Sequence, residues 1–267
     1  MAILTAWERI EIVRTAGRPT VPEYLTMLFD DFTECHGDRL YGDDPAIVGG
    51  VAMLEGRPVT VIGQVKGRNL EENKKTNFAM PHPEGYRKAL RLAKQAEKFG
   101  RPVIFLIDTP GAFCGIEAEE RGQGEAIARN LLELSQLKTP VISIVLGEGG
   151  SGGALALAVC DTLAILENAV YSVISPRGFA SILWKDAARE REAANILRIT
   201  AEDMLELGIC ETIIREPIGG AHNDPVITAQ NIRSFLADSI EKFSQITLDS
   251  LLANRYYRYR KVGSFAE

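Results

Sequence analysis

Apolar residues recur along this chain in two alternating rhythms, and they predict a layered α/β protein. Trp7, Ile10 and Val13 share one face of a short helix within Met1–Arg18, too small to bury much alone and so expected to pack on the main body or a partner. Thr20 followed by Val21-Pro22-Glu23 marks a second helix start, with Tyr24, Leu25, Leu28, Phe29 and Phe32 at helical spacing and Gly37 as its end. Ala46–Leu54 and Pro58–Lys66 flank Glu55-Gly56-Arg57 and read as a hairpin. A polar, basic loop follows, with Gly67, Arg68, Asn73, Lys74 and Lys75. Pro83 then opens an amphipathic helix that runs to Phe99.

Val103–Ile107 and Val141–Leu146 are short, continuous apolar runs, the pattern of strands buried on both faces. Ala126–Leu137 between them is helical. Beyond them come short strands at Thr162–Leu166, Val170–Ile174 and Ile209–Ile214. Helical segments are predicted at Gly178–Trp184, Glu190–Leu197, Ala201–Leu207, Val226–Phe243 and Leu248–Tyr259. The simplest account is one domain: N-terminal helices over 1–36, a core over 46–215 and C-terminal helices over 224–261.

Composition narrows the class. The 267 residues are 46% hydrophobic and 25% charged, with a net charge of −6, which argues against a nucleic-acid partner. No apolar run approaches the ~20 residues of a membrane span, and no leader opens the chain, so a cytoplasmic location is expected. Cys35, Cys114, Cys160 and Cys210 are far apart, as are His36, His82 and His222. No metal site is therefore expected on this chain. Arg87, Lys88, Arg91 and Lys94 on the amphipathic helix suggest a solvated face or a docking surface for an anionic partner.

The candidate chemistry lies in two similar devices roughly 40 residues apart. Each is a buried strand, a glycine-containing turn and a helix. The first centres on Gly111-Ala112. The second is Gly147–Gly153, five glycines in seven residues, running into an apolar helix over Ala154–Val159. If the two strands are neighbours, both turns open at one sheet edge and their amides face one cavity. Glycine there permits unusual φ angles and close approach of a ligand, and aimed amides stabilise an oxyanion. A second role stays open on the residues alone: glycines that only let strand and helix pack tightly. The run also matches G-x-S-x-G through Gly149–Gly153, which raises Ser151 as a nucleophile with His222 and Asp161, Asp186 or Asp203 as partners.

Several long motifs carry a more specific signal. They are Asn77-Phe78, Met80-Pro81, Pro83–Leu90, Ile107–Ala112, Ala118–Gln123, Glu125–Asn130, Gly147–Ala156, Tyr171–Pro176 and Gly219–His222. In this order, over about Thr20–Tyr257, the sequence resembles the carboxyltransferase α subunit of bacterial-type, multisubunit acetyl-CoA carboxylase. Phe113-Cys114 departs from the Tyr-Pro common after the first turn, and longer members carry an extra N-terminal helical segment.

The resemblance implies a crotonase-like fold of ββα units. It implies a β subunit partner in an α2β2 heterotetramer, working with biotin carboxyl carrier protein and biotin carboxylase. The implied reaction moves a carboxyl group from carboxybiotin to acetyl-CoA, giving malonyl-CoA for fatty acid synthesis, with zinc only on the β subunit. It assigns the amides of Gly152 and Gly153 to the biotin carbonyl. Gly111, Ala112, Gly149 and Gly150 are expected to line the substrate. Lys66 and Arg68 are candidates to hold the migrating carboxylate or a CoA phosphate.

Overall fold

Thr5 and Thr20 each cap a short helix through a reciprocal box with a glutamate three residues on, Glu8 and Glu23. The computed structural model describes residues 4–263, so the outermost parts of the first predicted helix and of the C-terminus lie outside the described residues. Helix α1 (Ala6–Val13) sets Ala6 and Ile10 against Ala194 and Ile199 of the main body. Helix α2 (Val21–Leu28) is shorter than its periodicity predicts. After Phe29 the chain extends into β1 (Asp30–Glu34), which pairs antiparallel with the next strand, so Phe32 belongs to a strand. The physical reason is tertiary: Gly50, on that next strand, has no Cβ, and one there would run into the Thr33 carbonyl. The edge strand therefore closes on it.

The hairpin forms as expected from β2 (Ile47–Leu54) and β3 (Arg57–Gln64), joined by Glu55-Gly56 with both φ angles positive (49° and 76°). The expected polar loop contains a helix, α3 (Leu70–Lys75), because the Asn69 side chain accepts the Glu72 N–H at 2.9 Å. Helix α4 (Pro83–Phe99) ends on Gly100 in the left-handed conformation. The chain continues through β4 (Val103–Thr109), α5 (Ile116–Glu120), α6 (Gln123–Ser135), β5 (Val141–Gly150) and α7 (Ser151–Leu155). Then come β6 (Thr162–Leu166), β7 (Val170–Ser172), α8 (Pro176–Phe179), α9 (Glu190–Ile196), α10 (Ala201–Glu206), β8 (Thr212–Ile214), α11 (Pro225–Ser244) and α12 (Leu248–Arg260).

The sheet runs β1-β2-β3-β4-β5-β6-β8, with β7 pairing the far end of β5. The first two pairings are antiparallel and the others parallel. Every residue of β4 is buried, as a parallel strand covered on both faces requires. Leu92 of α4 packs where a Gly49 side chain would be, beside Ile62, while Val21 of α2 packs at the neighbouring Gly63. Adjacent strand residues point to opposite faces, so α4 and α2 cover opposite sides of the sheet. Helix α12 is locked by Arg255, which is 1% exposed. It donates to both Asp161 carboxylate oxygens (2.8 and 2.6 Å) and to the carbonyls of Leu134, Leu137 and Thr139.

The cations of α4 are paired within this chain, and they range from the fully buried Lys88 to Lys94, whose side chain is 40% exposed. Lys88 is fully buried, with Nζ 2.5 Å from Asp43 Oδ1 and 3.0 Å from the Asp44 carbonyl. Arg87 donates to Asp38 and Arg91 to the Gly37 carbonyl, while Lys94 pairs with Glu133. These cations tie α4 to the loop after β1 and to α6.

Candidate active site at two abutting glycine turns

Strands β4 and β5 are parallel neighbours, so both predicted turns emerge at the same edge of the sheet. The second differs in detail from its expected form. Gly147–Gly150 continue β5 as strand, Gly149 pairing with Thr109 and Tyr171, and the helix starts at Ser151 and ends by Leu155. Missing side chains make this possible. A Cβ on Gly147 would meet the Asp108 carboxylate, and one on Gly149 the Tyr171 ring. The sharp change of direction falls on Ser151, whose φ is +50°.

The two turns touch backbone to backbone. A Cβ on Gly150 would run into the Pro110 carbonyl, and one on Gly153 into the backbone of Gly111 and Ala112. Gly152 is different: a Cβ there would find only Ile127, at 3.7 Å. The tight-packing role left open by the sequence thus falls on Gly150 and Gly153. The chain's own packing does not explain why residue 152 lacks a side chain.

Amide accounting separates the turn residues further. Gly111 (φ +151°) donates to Thr109 Oγ1 at 3.0 Å, and Phe113 donates to the Pro81 carbonyl at 3.1 Å. The amide of Ala112 donates to no acceptor among the described residues, and Gly152 and Gly153 occupy the second and third positions of α7. In the first turn of a helix an N–H has no i−4 acceptor within the helix, so these two amides are among those α7 leaves to point outward. The Gly153 carbonyl, by contrast, is held by Gln64 Nε2 at 2.8 Å and Tyr86 Oη at 3.4 Å.

A strained segment braces the first turn. Asn77, Phe78 and Ala79 are three successive residues with φ between 50° and 59°, each costing roughly 1–2 kcal/mol outside glycine. Thr109 Oγ1 lies 2.5 Å from the Ala79 carbonyl, and Gln123 Nε2 bridges the Pro81 and Phe113 carbonyls. No local signal predicts this left-handed turn, since Phe and Ala disfavour the conformation that tertiary contacts impose. Gln64 was legible only as a polar residue ending an apolar strand.

A cavity of about 370 Å³ opens beside the second turn, lined by Ser151, Gly152, Leu155, Tyr171, Val173 and Ile174 among others. Its walls are mainly apolar. Leu155, Val173 and Leu207 on it are 40%, 82% and 41% exposed. Larger cavities, about 650 Å³ by Asp161 and Asp238 and about 830 Å³ between α6 and α12, are lined by none of the turn residues.

Lys66 and Arg68 both lie near carboxylates of this chain. Lys66 Nζ is 3.4 Å from Glu148 Oε2, and the Asp108 charge, against the effect of burial, raises its pKa. Arg14 pairs with the same Glu148 at 2.6 Å, and the Glu148 N–H donates to Asp108 at 3.0 Å. Burial works to raise the Glu148 pKa, but Arg14 and Lys66 outweigh it and hold the carboxyl below its ordinary value. Arg68 is exposed, with Glu23 at 3.5 Å and Glu72 at 3.9 Å.

The nucleophile reading of Ser151 has no supporting triad. Asp161 is taken by Arg255, Asp186 caps Ala188, and Asp203 closes the capping box with Thr200. His222 Nδ1 is buried with no hydrogen-bond partner among the described residues. Likewise, no cluster of three His, Cys, Asp or Glu side chains is placed to hold a metal ion among them.

Known proteins agree on what this architecture is. A sequence profile described as "Acetyl co-enzyme A carboxylase carboxyltransferase-like" matches residues 1–263. The chain is 59% identical over 264 residues to the acetyl-coenzyme A carboxylase carboxyl transferase subunit alpha of Clostridium acetobutylicum, covering 99% of this chain and 96% of that one. The subunit alpha of Heliobacterium modesticaldum is 56% identical over 260 residues, covering 97% of this chain and 78% of the longer relative.

Among solved structures, transcarboxylase 12S superposes with a TM-score of 0.71 at 18% identity. It covers 90% of this chain, which spans 45% of the 12S chain. The beta subunit of Pseudomonas aeruginosa geranyl-CoA carboxylase gives a TM-score of 0.67 at 17% identity, covering 92% and 46%. The fold is therefore the crotonase-like fold of these carboxyltransferases. On the profile match and the alpha-subunit identities together, this chain belongs to the acetyl-CoA carboxylase carboxyltransferase family, as an α subunit.

Proposed function

We propose that this α subunit supplies the biotin-side half of the carboxyltransferase active site, and that a β subunit of the same enzyme supplies the half that holds acetyl-CoA. The observation that carries the reading is the junction of the two glycine turns. The unpaired amide of Ala112 and the first-turn amides of Gly152 and Gly153 come together there beside an apolar cavity. Carboxybiotin, delivered on biotin carboxyl carrier protein after loading by biotin carboxylase, is the carboxyl donor. Acetyl-CoA is the acceptor and malonyl-CoA the product.

The amides of Gly152 and Gly153 are assigned to the ureido oxygen, where negative charge builds as the N–carboxyl bond breaks. Preorganised donors of this kind are worth about 2.7–4 kcal/mol each. The apolar cavity suits the body of the biotin ring, and the bare Cα of Gly152 leaves room for its oxygen. No side-chain base is assigned on this chain; the freed biotin nitrogen takes the proton from the acetyl methyl group. Gly111, Gly149 and Gly150 shape the floor of the site. Lys66 is assigned to the charged cluster under the turns, not to the substrate. The exposed apolar side chains around the cavity mouth fit coverage by the β subunit, in an α2β2 assembly in the cytoplasm, with zinc on the β subunit.

The test is the reverse reaction. The chain, its β partner, malonyl-CoA and biocytin are mixed and acetyl-CoA release is followed. Turnover that needs both chains and falls in an assembled Gly152→Val complex is expected. Full turnover by the β partner alone, or an assembled Gly152→Val complex at the wild-type rate, would overturn the assignment.

A further inference from the structure

We propose that Gln64 and Tyr86 are positioning residues, a two-pronged clamp on the Gly153 carbonyl that sets the aim of the second-turn amides; the inference rests on the carboxyltransferase reading above. Gln64 closes β3 and Tyr86 lies in the first turn of α4, and both are fully buried. Gln64 Nε2 lies 2.8 Å, and Tyr86 Oη 3.4 Å, from the Gly153 oxygen. In a continuing α-helix that oxygen would receive the Leu157 N–H. Here Leu157 donates to Ala154 at 3.0 Å, because α7 tightens and stops at Leu155. Side chains from a sheet strand and from the helix that covers it take the place of the lost helical bond.

The chemistry of Gln64 shows what it is there for. Its orientation is set, since a carbonyl can only accept and so Nε2 must face Gly153. Its Oε1 is then left buried with no partner among the described residues. An orphaned amide oxygen is a standing cost, and an apolar side chain in this place would avoid it. What an apolar side chain would lose is the hydrogen bond to Gly153.

Gly153 is consequently fixed from two sides: its Cα abuts Gly111 and Ala112, and its carbonyl is held by Gln64 and Tyr86. With both fixed, the Gly153–Ala154 peptide is held, and the peptide that carries the Gly153 N–H is anchored at its Gly153 Cα end. Donors that face an oxyanion must keep their position to about 0.5 Å. The clamp meets that need from outside the site, because neither Gln64 nor Tyr86 is among the residues lining the cavity beside Gly152.

Gln64→Met keeps the side-chain length and removes the donor. Assembled with the β partner, it is expected to lower kcat of the reverse reaction about tenfold while the KM for malonyl-CoA stays within about twofold. Gln64→Glu can donate to the carbonyl only when protonated. Its kcat is therefore expected to recover toward low pH along a limb that wild type lacks, which a merely structural role would not produce. Deuterium uptake across Ser151–Leu157 is expected to rise in Gln64→Met. Unchanged uptake overturns the clamp whether or not any transfer is seen, and so does wild-type kcat in assembled Gln64→Met. If Gln64→Met does not assemble, Tyr86→Phe decides, through faster uptake (for the clamp) or unchanged uptake (against it). Wild-type complex without transfer would instead overturn the carboxyltransferase reading alone.

Discussion

At residue scale, the three glycines around Ser151 look alike in the sequence and are unlike in the fold. Gly150 and Gly153 are held against the backbone of the other turn, whereas Gly152 has room for a methyl group. Gly152→Ala is therefore expected to fold and assemble normally but to lose at least about tenfold in turnover, near 1.4 kcal/mol of barrier, because the methyl occupies ligand space. Gly153→Ala is expected to fail differently. The new carbon must push the two turns apart, costing about 1–3 kcal/mol of stability, visible as a lower unfolding midpoint of the isolated chain.

Asp43 gives a pH prediction at the same scale. Burial works against its ionisation, but Lys88, the Gly37 N–H and His36 hold its pKa down to about 2, against an ordinary 3.8. A depressed carboxyl contributes stability that is present above its ordinary pKa and lost as pH falls toward its folded value. Acid titration of the fold is thus expected to lose stability between about pH 4 and 2, and Asp43→Asn to flatten that slope. Neighbouring Asp44, pushed up to about 6 by burial, has the opposite sign: its ionisation between 3.8 and 6 works against the fold. A slope unchanged by Asp43→Asn would mean that the Lys88 pair is not what titrates.

At element scale, helices that read as surface features prove to be fastened by buried charge. The α4 cations lie at helical spacing on one side, which in sequence is the mark of a solvated stripe. They become structural because the loop after β1 delivers Asp38 and Asp43 to meet them. Helix α12 has little apolar face and docks through Arg255 instead, aided by Tyr259 Oη, which accepts the Cys160 N–H at 2.7 Å. Arg255→Met would leave the buried Asp161 carboxylate without its cation, holding only the Val141 N–H, and would take a donor from three carbonyls. A loss of about 3–5 kcal/mol is expected, read by denaturant unfolding; a loss below about 1 kcal/mol would show that α12 is held by its apolar contacts alone.

At the scale of the whole molecule, the sheet order explains why one edge carries the chemistry. Successive parallel strands β3, β4 and β5 deliver their C-terminal ends side by side, so Gln64, the first turn and the second turn meet although they are far apart in sequence. Leu155, Val173 and Leu207 around the adjoining cavity are exposed in the single chain. Mixing with the β partner is expected to protect Leu155 and Val173 from hydrogen exchange and solvent labelling, with turnover appearing in the same titration. Protection elsewhere with none around the cavity would place the interface on another face.

The sequence by itself determined the α/β layering, the buried strands, the hairpin and both glycine turns. These follow from local periodicity and from glycine, whose lack of a side chain is informative wherever it stands. Its ordered motifs also carried the family. It could not show that Gly147–Gly150 would extend a strand, that Asn77–Ala79 would be forced left-handed, or that Lys88 of α4 would be buried and its neighbouring cations paired within the chain. Each of those depends on a partner brought in from a distant segment: Tyr171 and Asp108 beside the glycines, Thr109 against Ala79, Asp38 and Asp43 against the cations. Which glycine packs and which stays open was likewise a matter of tertiary structure, because only the approach of the two turns decides where a methyl group would fit.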